Sequence, residues 1–426
     1  MNTQELIDYI SNNKMNERLF DIYQDEEKIE YQKERYISAI KNFIELYGDN
    51  DIEIYSAPGR TEVGGNHTDH QHGQVLAASI SVDAIAITSK NDSGMINIKS
   101  EGYDMINVNV ADTEKTDSEE GTTAALIRGI VAGMQARDFK TGGFNAYITS
   151  DVLGGSGLSS SAAFETIIGN ILSGLYNDNK IDAVTIAILG QYAENVYFGK
   201  PCGLMDQMAC SVGSLCHIDF ADTENPQIEK IDLDLNAVGY SLCITDTKGS
   251  HADLTPDYAA VPAEMKSVAE MYGKKVLIEL SEEEVISHIP EIREKLGDRA
   301  VLRALHFYEE CKRVENQVNA IKSDDFEMFL KNIKASGDSS YKFLQNVYTS
   351  HDIMHQNVSI ALCMSEMVLG SEYGVSRVHG GGFAGTIQAF VKNEKVSEYK
   401  QALDNIFGEG SCNVLKIRKY GGIKVI

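Results

Sequence analysis

The chain has 426 residues, and its 38 Lys and Arg against 63 Asp and Glu give a formal net charge of −25 at pH 7. So acidic a chain repels nucleic acid and anionic membrane surfaces, and we expect neither as a partner. The length exceeds what one hydrophobic core usually covers, which predicts two lobes of about 200 residues each. Its first residues lack the basic and apolar regions of a signal peptide, and no apolar stretch approaches the ~18 residues of a membrane span, so we expect a cytoplasmic protein.

The predicted elements begin with a helical extension over residues 1–48, which we expect to end at its glycine. The stretch "IEIYSAP" at 52–58 alternates apolar and polar side chains, which predicts a strand broken by Pro58. The polar run "GRTEVGGNHTDH" at 59–70 is then expected at the strand end, where loops carry sites. Such glycine-rich runs are most often plain turns, so this segment alone does not establish a site.

The rest of the chain mixes strands and helices. Short alternating runs over 74–110 predict antiparallel strands. They are followed by a predicted helix at 122–137, a strand at 144–151 and helices at 161–176 and 184–199. After residue 213 the pattern restarts with strands, then helices through residue 370, then strands. This order indicates an α+β fold, with an extension at 1–48, an N-terminal lobe at 49–215 and a C-terminal lobe at 216–426.

The stretch "DVLGGSGLSSSAAFE" at 151–165 places three glycines after a strand and three serines before a long helix. Glycine permits a tight turn, the helix start offers unpaired N–H groups, and serine hydroxyls donate hydrogen bonds to phosphate. The spacing is that of neither a P-loop nor a dinucleotide turn. A well-capped helix is the alternative, but the pattern favours phosphate binding by Gly154, Gly155, Ser156, Gly157, Leu158, Ser159, Ser160 and Ser161.

A third stretch, "SRVHGGGFAGT" at 376–386, has four glycines in six positions before a predicted strand. Three consecutive glycines are explained best by the close approach of another backbone or a ligand, with a plain loop as the alternative.

The order of "PGRTEVGGNHTDHQHG", "LGGSGLSSSAA" and "RVHGGGFAG" resembles the three motifs of the GHMP kinases. Within that family the first motif and "GKPCGLMDQMACSVG" at 199–213 resemble the galactokinases. The resemblance implies a two-lobed fold with ATP and sugar in the cleft between the lobes. It also implies transfer of the ATP γ-phosphoryl group to the anomeric C1 hydroxyl of galactose. We expect a monomer that takes ATP and a sugar as its small-molecule partners, with Mg²⁺ as cofactor.

The resemblance also implies the roles of individual residues. Asp206 resembles the carboxylate that accepts or orients the hydroxyl proton, and Arg60 resembles the cation beside it. A nearby guanidinium keeps such a carboxylate ionised. Glu194 resembles the magnesium ligand, with a serine of the run Ser159–Ser161 as the second ligand, of which Ser160 is favoured.

The sugar pocket implied by the resemblance consists of Asn66, His67, Asp69, Gly203 and Tyr258. His67 could instead be a structural hydrogen-bonding group. The family usually reads Gly-Arg-x-Asn-Leu-Ile-Gly-Glu-His-Thr-Asp-Tyr, whereas this chain has Glu62 for the Asn, Asn66 for the Glu and His70 for the Tyr. The Glu that Asn66 replaces is expected to touch the C6 hydroxyl of the sugar. A sugar 1-kinase for galacturonate, N-acetylgalactosamine or L-arabinose therefore stays open, as does a catalytically silent sugar sensor.

Overall fold

The structure is a computed structural model that describes residues 1–152, 157–200, 202–223, 225–249 and 254–426. Its strands are β1 (Glu53–Gly64), β2 (Gln74–Lys90), β3 (Met95–Ser100), β4 (Met105–Asn109), β5 (Phe144–Ser150), β6 (Leu215–Asp219), β7 (Gln227–Ile231), β8 (Tyr240–Asp246), β9 (Gly374–His379), β10 (Thr386–Lys392), β11 (Cys412–Leu415) and β12 (Ile423–Lys424). Its helices are α1 (Thr3–Ser11), α2 (Asn16–Tyr23), α3 (Ile29–Tyr47), α4 (Thr123–Gln135), α5 (Ser160–Asn177), α6 (Ala183–Tyr192), α7 (Met205–Val212), α8 (Thr255–Met271), α9 (Glu282–Ser287), α10 (Ile289–Leu296), α11 (Asp298–Lys322), α12 (Phe326–Ser339), α13 (Asn357–Leu369) and α14 (Val396–Phe407).

The larger sheet is built around the long strand β2. Its order is β12-β1-β2-β5-β3-β4, and β6 and β7 extend it from the first part of β2. All neighbours are antiparallel except β3 and β5. The first part of β2 pairs with β6 and the last part with β5, so β2 connects the two parts of the sheet.

Helices cover both faces of this sheet. On one face, α4, α5 and α6 pack against inward side chains such as Tyr55 and Ala86. On the other face, the N-terminal helices α1–α3 pack against the alternate positions, including Ile54 and Ile85. Because neighbouring strand residues point to opposite faces, both sets are buried, which explains the nearly continuous apolar run of β2.

The smaller sheet has the order β11-β8-β10-β9, with antiparallel neighbours throughout. Helices α13 and α14 cover one face of it. Helices α11 and α12 lie between the two sheets, where Phe329 and Ile333 pack with Leu76 of β2 and Phe390 of β10. This packing brings the ends of β1 and β9 together.

The structure corrects one predicted boundary. Strand β1 does not break at Pro58 but continues to Gly64, so Arg60 and Glu62 lie on a strand and not in a loop. Proline lacks the N–H of a regular ladder, and the pairing with β2 shifts register between Pro58 and Arg60. The loop begins at Gly65.

The other predicted elements are largely confirmed. The N-terminal extension is helical and ends at Gly48, whose φ of 78° suits glycine after a helix. The predicted helix at 184–199 is α6 followed by a π-helical turn at Ala193–Phe198. Among the described residues, the helices are all too short or too polar to cross a bilayer. The division into lobes at residue 215 stays a prediction.

Candidate active site

Arg60 and Asp206 form an ion pair where the larger sheet meets α7. Arg60 follows the register shift in β1, and Asp206 lies in the first turn of α7. Arg60 Nε donates to Asp206 Oδ1 at 2.7 Å, and Arg60 Nη2 donates to Oδ2 at 2.9 Å. Two parallel bonds of this kind fix the orientation of both groups. The structure therefore brings together the two residues that were predicted to be catalytic.

The charge state of Asp206 follows from its surroundings. Burial acts to raise its pKa, but the charge of Arg60 and hydrogen bonds from Arg60 and Ser159 outweigh burial and lower the pKa below its ordinary value. Burial likewise acts to lower the pKa of Arg60, and the charge of Asp206 raises it. Asp206 is consequently ionised at neutral pH and accepts hydrogen bonds at both oxygens.

The end of the glycine-serine stretch contacts this ion pair directly. The carbonyl of Gly157 accepts a hydrogen bond from Arg60 Nη1, and the carbonyl of Leu158 accepts one from the Arg60 N–H at 3.1 Å. Ser159 has a left-handed φ of 60°, and its hydroxyl donates to Asp206 Oδ2 instead of capping α5. Phosphate binding by this stretch stays a prediction. Three of the residues predicted for it lie outside the described residues: Gly154, Gly155 and Ser156.

Glu194 lies on the π-helical turn after α6 and is only 3% exposed. Its Oε2 accepts a hydrogen bond from Gln207 Nε2 at 2.8 Å. Its Oε1 accepts from Lys200 Nζ at 3.0 Å and from Ser161 Oγ at 3.5 Å. A π-helical turn adds one residue to the helical repeat, which rotates Glu194 toward the start of α5.

The donor set at Glu194 fits Mg²⁺, which prefers oxygen ligands and takes one or two of them from protein, with phosphates and water as the rest. Glu194 offers a carboxylate and Ser161 a hydroxyl, and the Lys200 ammonium already marks the position as one that favours a cation. Within the described ranges, the structure has no group of three or more His, Cys, Asp and Glu side chains placed to hold a metal ion. Ser160 was the predicted second ligand, whereas Ser161 is the serine that contacts Glu194.

A cavity of about 170 Å³ opens beside Asp206. Sites for drug-sized ligands are commonly about 300–1,000 Å³, so a cavity of this size suits a smaller molecule such as a monosaccharide. Its lining residues come from β1, the loop after β1, the segment before α7, the start of α7 and the loop after β9: Arg60, Glu62, His67, Asp69, Cys202, Gly203, Met205, Asp206, Gly380 and Gly381.

Asp69 and Gly203 face each other across this cavity wall. Asp69 Oδ1 accepts a hydrogen bond from the His70 N–H at 2.9 Å. A Cβ atom on Gly203 would overlap Asp69 Oδ2, so only glycine leaves room for the carboxylate. Burial, and then the charge of Asp206, raises the pKa of Asp69 to about 6.

Asn66, predicted for the sugar pocket, is fully buried and does not line the cavity. Its Nδ2 donates to Glu62 Oε1 at 2.9 Å and to the Gly380 carbonyl at 2.8 Å. Its Oδ1 accepts from Ser340 Oγ at 3.1 Å and from Asn346 Nδ2 at 2.9 Å. Because these four bonds use the full capacity of the amide, Asn66 supports the cavity wall and has no group left for a sugar.

His67 lines the cavity, but neighbouring groups engage both of its ring nitrogens. The Gly381 carbonyl can only accept, so His67 Nε2–H donates to it at 3.1 Å. Nδ1 of His67 then accepts from His70 Nε2 at 3.3 Å. Burial lowers the pKa of His67 to about 4, so the ring is neutral. This geometry fits the structural alternative for His67.

Tyr258, also predicted for the pocket, lies behind the glycine loop that follows β9. Its hydroxyl donates to the Gly382 carbonyl at 2.8 Å, and its ring packs edge-on against Phe383. A Cβ on Gly381 would lie 2.9 Å from Tyr258 Cε1. Tyr258 therefore positions the loop that supplies Gly380 and Gly381 to the cavity.

Sequence reasoning missed three residues of this site. Glu62 was noted only as a departure from a motif, yet it lines the cavity. Arg377 is fully buried and donates to Glu62 Oε1 at 2.8 Å. His379 Nε2 accepts from the Glu62 N–H at 3.2 Å. The sequence signal for Glu62 was its spacing of two residues from Arg60, which places both side chains on one face of a strand.

Comparison with known proteins agrees with this geometry. Residues 41–90 match the family described as the galactokinase galactose-binding signature, and residues 125–214 match the GHMP kinases N terminal domain. Over these two ranges the chain is similar to the GHMP kinases. The first match contains the β1 and loop residues of the cavity, and the second contains the start of α5, Glu194 and Asp206.

Relatives of this chain include a galactokinase of Actinobacillus pleuropneumoniae serotype 5b, 29% identical over 86% of this chain and 92% of that protein. A galactokinase of Streptomyces coelicolor is 27% identical over 88% of this chain and 94% of that protein. The structure of Lactococcus lactis galactokinase complexed with galactose shares the fold, with a TM-score of 0.76 and 24% identity over 90% of this chain and 98% of that chain. The Methanococcus jannaschii mevalonate kinase does so with a TM-score of 0.61 and 15% identity over 86% of this chain and 99% of that chain.

Proposed function

We propose that this protein transfers the γ-phosphoryl group of ATP to the anomeric C1 hydroxyl of galactose, giving galactose 1-phosphate and ADP. The observation that carries the proposal is the cavity beside the Arg60–Asp206 pair, whose β1 and loop residues fall within the matched galactose-binding signature. Relatives that match over most of their length are galactokinases.

Asp206 is placed to receive the sugar hydroxyl. Its ionised carboxylate accepts the hydrogen bond of the C1 hydroxyl, which aims the oxygen at the γ-phosphorus. The bond from that oxygen to phosphorus forms as the bond from phosphorus to the β,γ-bridging oxygen breaks, and the hydroxyl proton passes to Asp206 and then to solvent. Phosphoryl transfer depends chiefly on such positioning and on electrostatic stabilisation.

Arg60 has two tasks in this scheme. Its Nε and Nη2 hold the Asp206 carboxylate, and its charge lies beside the reacting oxygens, where it stabilises negative charge on the transferring group. The carbonyls of Gly157 and Leu158 hold Arg60 in turn, so the end of the glycine-serine stretch and the catalytic pair form one rigid unit.

The start of α5 supports phosphate binding because its N–H groups and dipole favour an anion there. Glu194 and a serine of the run Ser159–Ser161 are the residues that would hold Mg²⁺, which when bound offsets negative charge on the ATP phosphates. Lys200 lies on Glu194 and would move aside for the ion or share its carboxylate.

The test is ATP consumption by the purified protein with Mg²⁺ and a panel of galactose, galacturonate, N-acetylgalactosamine, glucose and L-arabinose. NMR of the product locates the phosphate. We expect galactose to be preferred and phosphorylated at C1. Preference for another sugar would support a sugar kinase with a substrate other than galactose. Binding of galactose without any turnover would indicate a silent sugar sensor.

A further inference from the structure

The side chain of Glu62 is held rigidly in the wall of the cavity. It is only 3% exposed, and its Oε1 accepts hydrogen bonds from Arg377 Nη2 at 2.8 Å and from Asn66 Nδ2 at 2.9 Å. Arg377 is itself fixed, because its Nη1 donates to the Val63 carbonyl at 2.9 Å and its Nε to the Val378 carbonyl at 3.0 Å. The carboxylate therefore has a single orientation.

The second oxygen of Glu62 is left for a ligand. Among the residues that the structure describes, Oε2 has no hydrogen-bond partner, whereas Oε1 has two. Since Glu62 lines the cavity and Oε1 faces Arg377 and Asn66 in the wall, Oε2 is the oxygen presented to the cavity. Oε2 is accessible from the cavity and is not sealed inside the protein, so a hydroxyl donor from a ligand can reach it and form a charge-assisted hydrogen bond.

The charges around the cavity determine which ligand fits. Glu62, Asp69 and Asp206 line it with carboxylates, and Arg60 is the cationic side chain among its described lining residues. Arg60 is already bound to Asp206. A neutral ligand rich in hydroxyl donors satisfies these carboxylates, while a ligand with its own carboxylate is repelled.

The sequence departures at positions 62 and 66 form a reciprocal exchange. This chain has Glu62 and Asn66 where the resembling motif has Asn and Glu, and the structure places the two side chains in direct hydrogen-bond contact. One carboxylate and one amide are kept in the pair. The Glu62 carboxylate lies on strand β1, and the Asn66 amide is buried in the loop that follows it.

We propose that Glu62 determines sugar specificity in this kinase: its Oε2 accepts a hydrogen bond from one non-anomeric hydroxyl of a neutral sugar and disfavours a uronic acid, a role that Asn66 does not take. The proposal rests on the proposed sugar 1-kinase function and names the class of sugar. Burial raises the pKa of Glu62 to about 7 against the lowering effect of Arg377 and Arg60, so pH 8 keeps most of it ionised.

The variant Glu62→Gln tests the proposal. Its amide oxygen can still accept from Arg377 and Asn66, while an NH₂ donor replaces Oε2 in the cavity. At pH 8 we expect KM for galactose to rise by about 10- to 100-fold, with kcat changed much less, because a hydrogen bond to a charged group is lost. The ratio of kcat/KM for galactose to that for galacturonate should fall by at least about tenfold.

Glu53→Gln is the matched control. Glu53 lies on the same strand as Glu62, where its Oε1 pairs with Lys424 Nζ at 2.6 Å, and it does not line the cavity. The same loss of charge there should leave KM for galactose within about twofold of wild type.

Deoxygalactoses identify the hydroxyl. Among the 2-, 3-, 4- and 6-deoxy analogues, one should bind wild type and Glu62→Gln equally, because it lacks the group that Glu62 contacts. An unchanged KM for galactose in Glu62→Gln, or the same loss for every analogue, would overturn the inference. If Glu62→Gln does not fold, the sugar affinities of the wild type test the proposal. Wild type that binds galacturonate as tightly as galactose contradicts it.

These outcomes separate the two proposals. If wild type phosphorylates galacturonate in preference to galactose, the protein is still a sugar kinase, but the proposed role of Glu62 is overturned. Wild type that phosphorylates no sugar overturns the proposed function, and calorimetric binding of galactose to wild type and Glu62→Gln then tests the role of Glu62 without turnover.

Discussion

At the scale of single residues, the site depends on pairs in which one side chain fixes the other. Arg60 holds Asp206 by two parallel bonds, and Arg377 and Asn66 hold Glu62. Each acceptor is thereby aimed before a ligand arrives, and such preorganisation is what phosphoryl transfer requires from a protein. Glu62 and Asn66 form one such pair because their side chains are in direct hydrogen-bond contact.

Asp206→Asn should abolish most turnover while galactose binding survives. The amide cannot take the hydroxyl proton and loses the charge that Arg60 pairs with, so we expect kcat to fall by at least about 100-fold. Steady-state kinetics gives kcat, and calorimetry gives the galactose affinity. Full activity of the variant would remove Asp206 from the catalytic role.

At the scale of elements, the glycine loop between β9 and β10 determines the shape of one cavity wall. Gly382 has a φ of 84°, and a Cβ there would overlap the Asn346 carbonyl. The same loop offers the Gly380 carbonyl to Asn66 and the Gly381 carbonyl to His67. The predicted close approach of another backbone is confirmed at Gly382, and the loop locks the end of β9 against β1.

Gly382→Ala should therefore affect both stability and sugar binding. The loop must shift to admit the methyl group, which displaces Gly380 and Gly381 from the cavity wall. We expect a loss of about 2 kcal/mol or more in the free energy of unfolding and a raised KM for galactose. Urea unfolding and kinetics measure the two effects. Gly273→Ala is the control, since its φ of 70° is also left-handed but no atom lies within 4 Å of its Cβ.

At the scale of the whole molecule, a buried ionic cluster joins three distant parts of the chain. Asp83 of β2 accepts hydrogen bonds from Arg35 of α3 at 2.7 Å and from Arg418, in the segment before β12, at 2.9 Å. Tyr23 of α2 donates to the same carboxylate at 2.9 Å. The N-terminal extension is thus bound to the sheet by charge as well as by its apolar face.

Asp83→Asn should destabilise the protein by about 3–5 kcal/mol, because the buried Arg418 loses its charged partner and Arg35 keeps only Asp151, which its Nη1 contacts at 3.2 Å. Burial acts to raise the pKa of Asp83, but Arg35 and Arg418 lower it below the ordinary value. The carboxylate therefore stabilises the fold above about pH 4 and loses that contribution as the pH falls further. Urea unfolding of wild type and variant at pH 7 and below pH 4 gives their free energies of unfolding. The difference between these free energies should be smaller below pH 4. Asp178→Asn, in an exposed pair with Lys180, should change stability by less than about 1 kcal/mol.

The extent to which the site could be predicted varies with the kind of residue. Arg60 and Asp206 are 146 positions apart, and only the resemblance to a family paired them before the structure brought them into contact. The strand period predicted strands where β2 and β10 lie, because both have long alternating or apolar runs. The continuation of β1 past Pro58 was missed, because a register shift with β2 is invisible in one strand alone.

The sequence by itself determined the mixed α and β elements, the position of the glycine and serine stretches between them, and the family to which these motifs point. Periodicity and turn residues are local properties, so they can be read without knowing what packs against them. Only the tertiary structure decided that Asn66 is buried and that Glu62 faces the cavity. Which side of a wall a polar residue occupies depends on partners such as Arg377, Ser340 and Asn346, which lie more than 270 residues away along the chain.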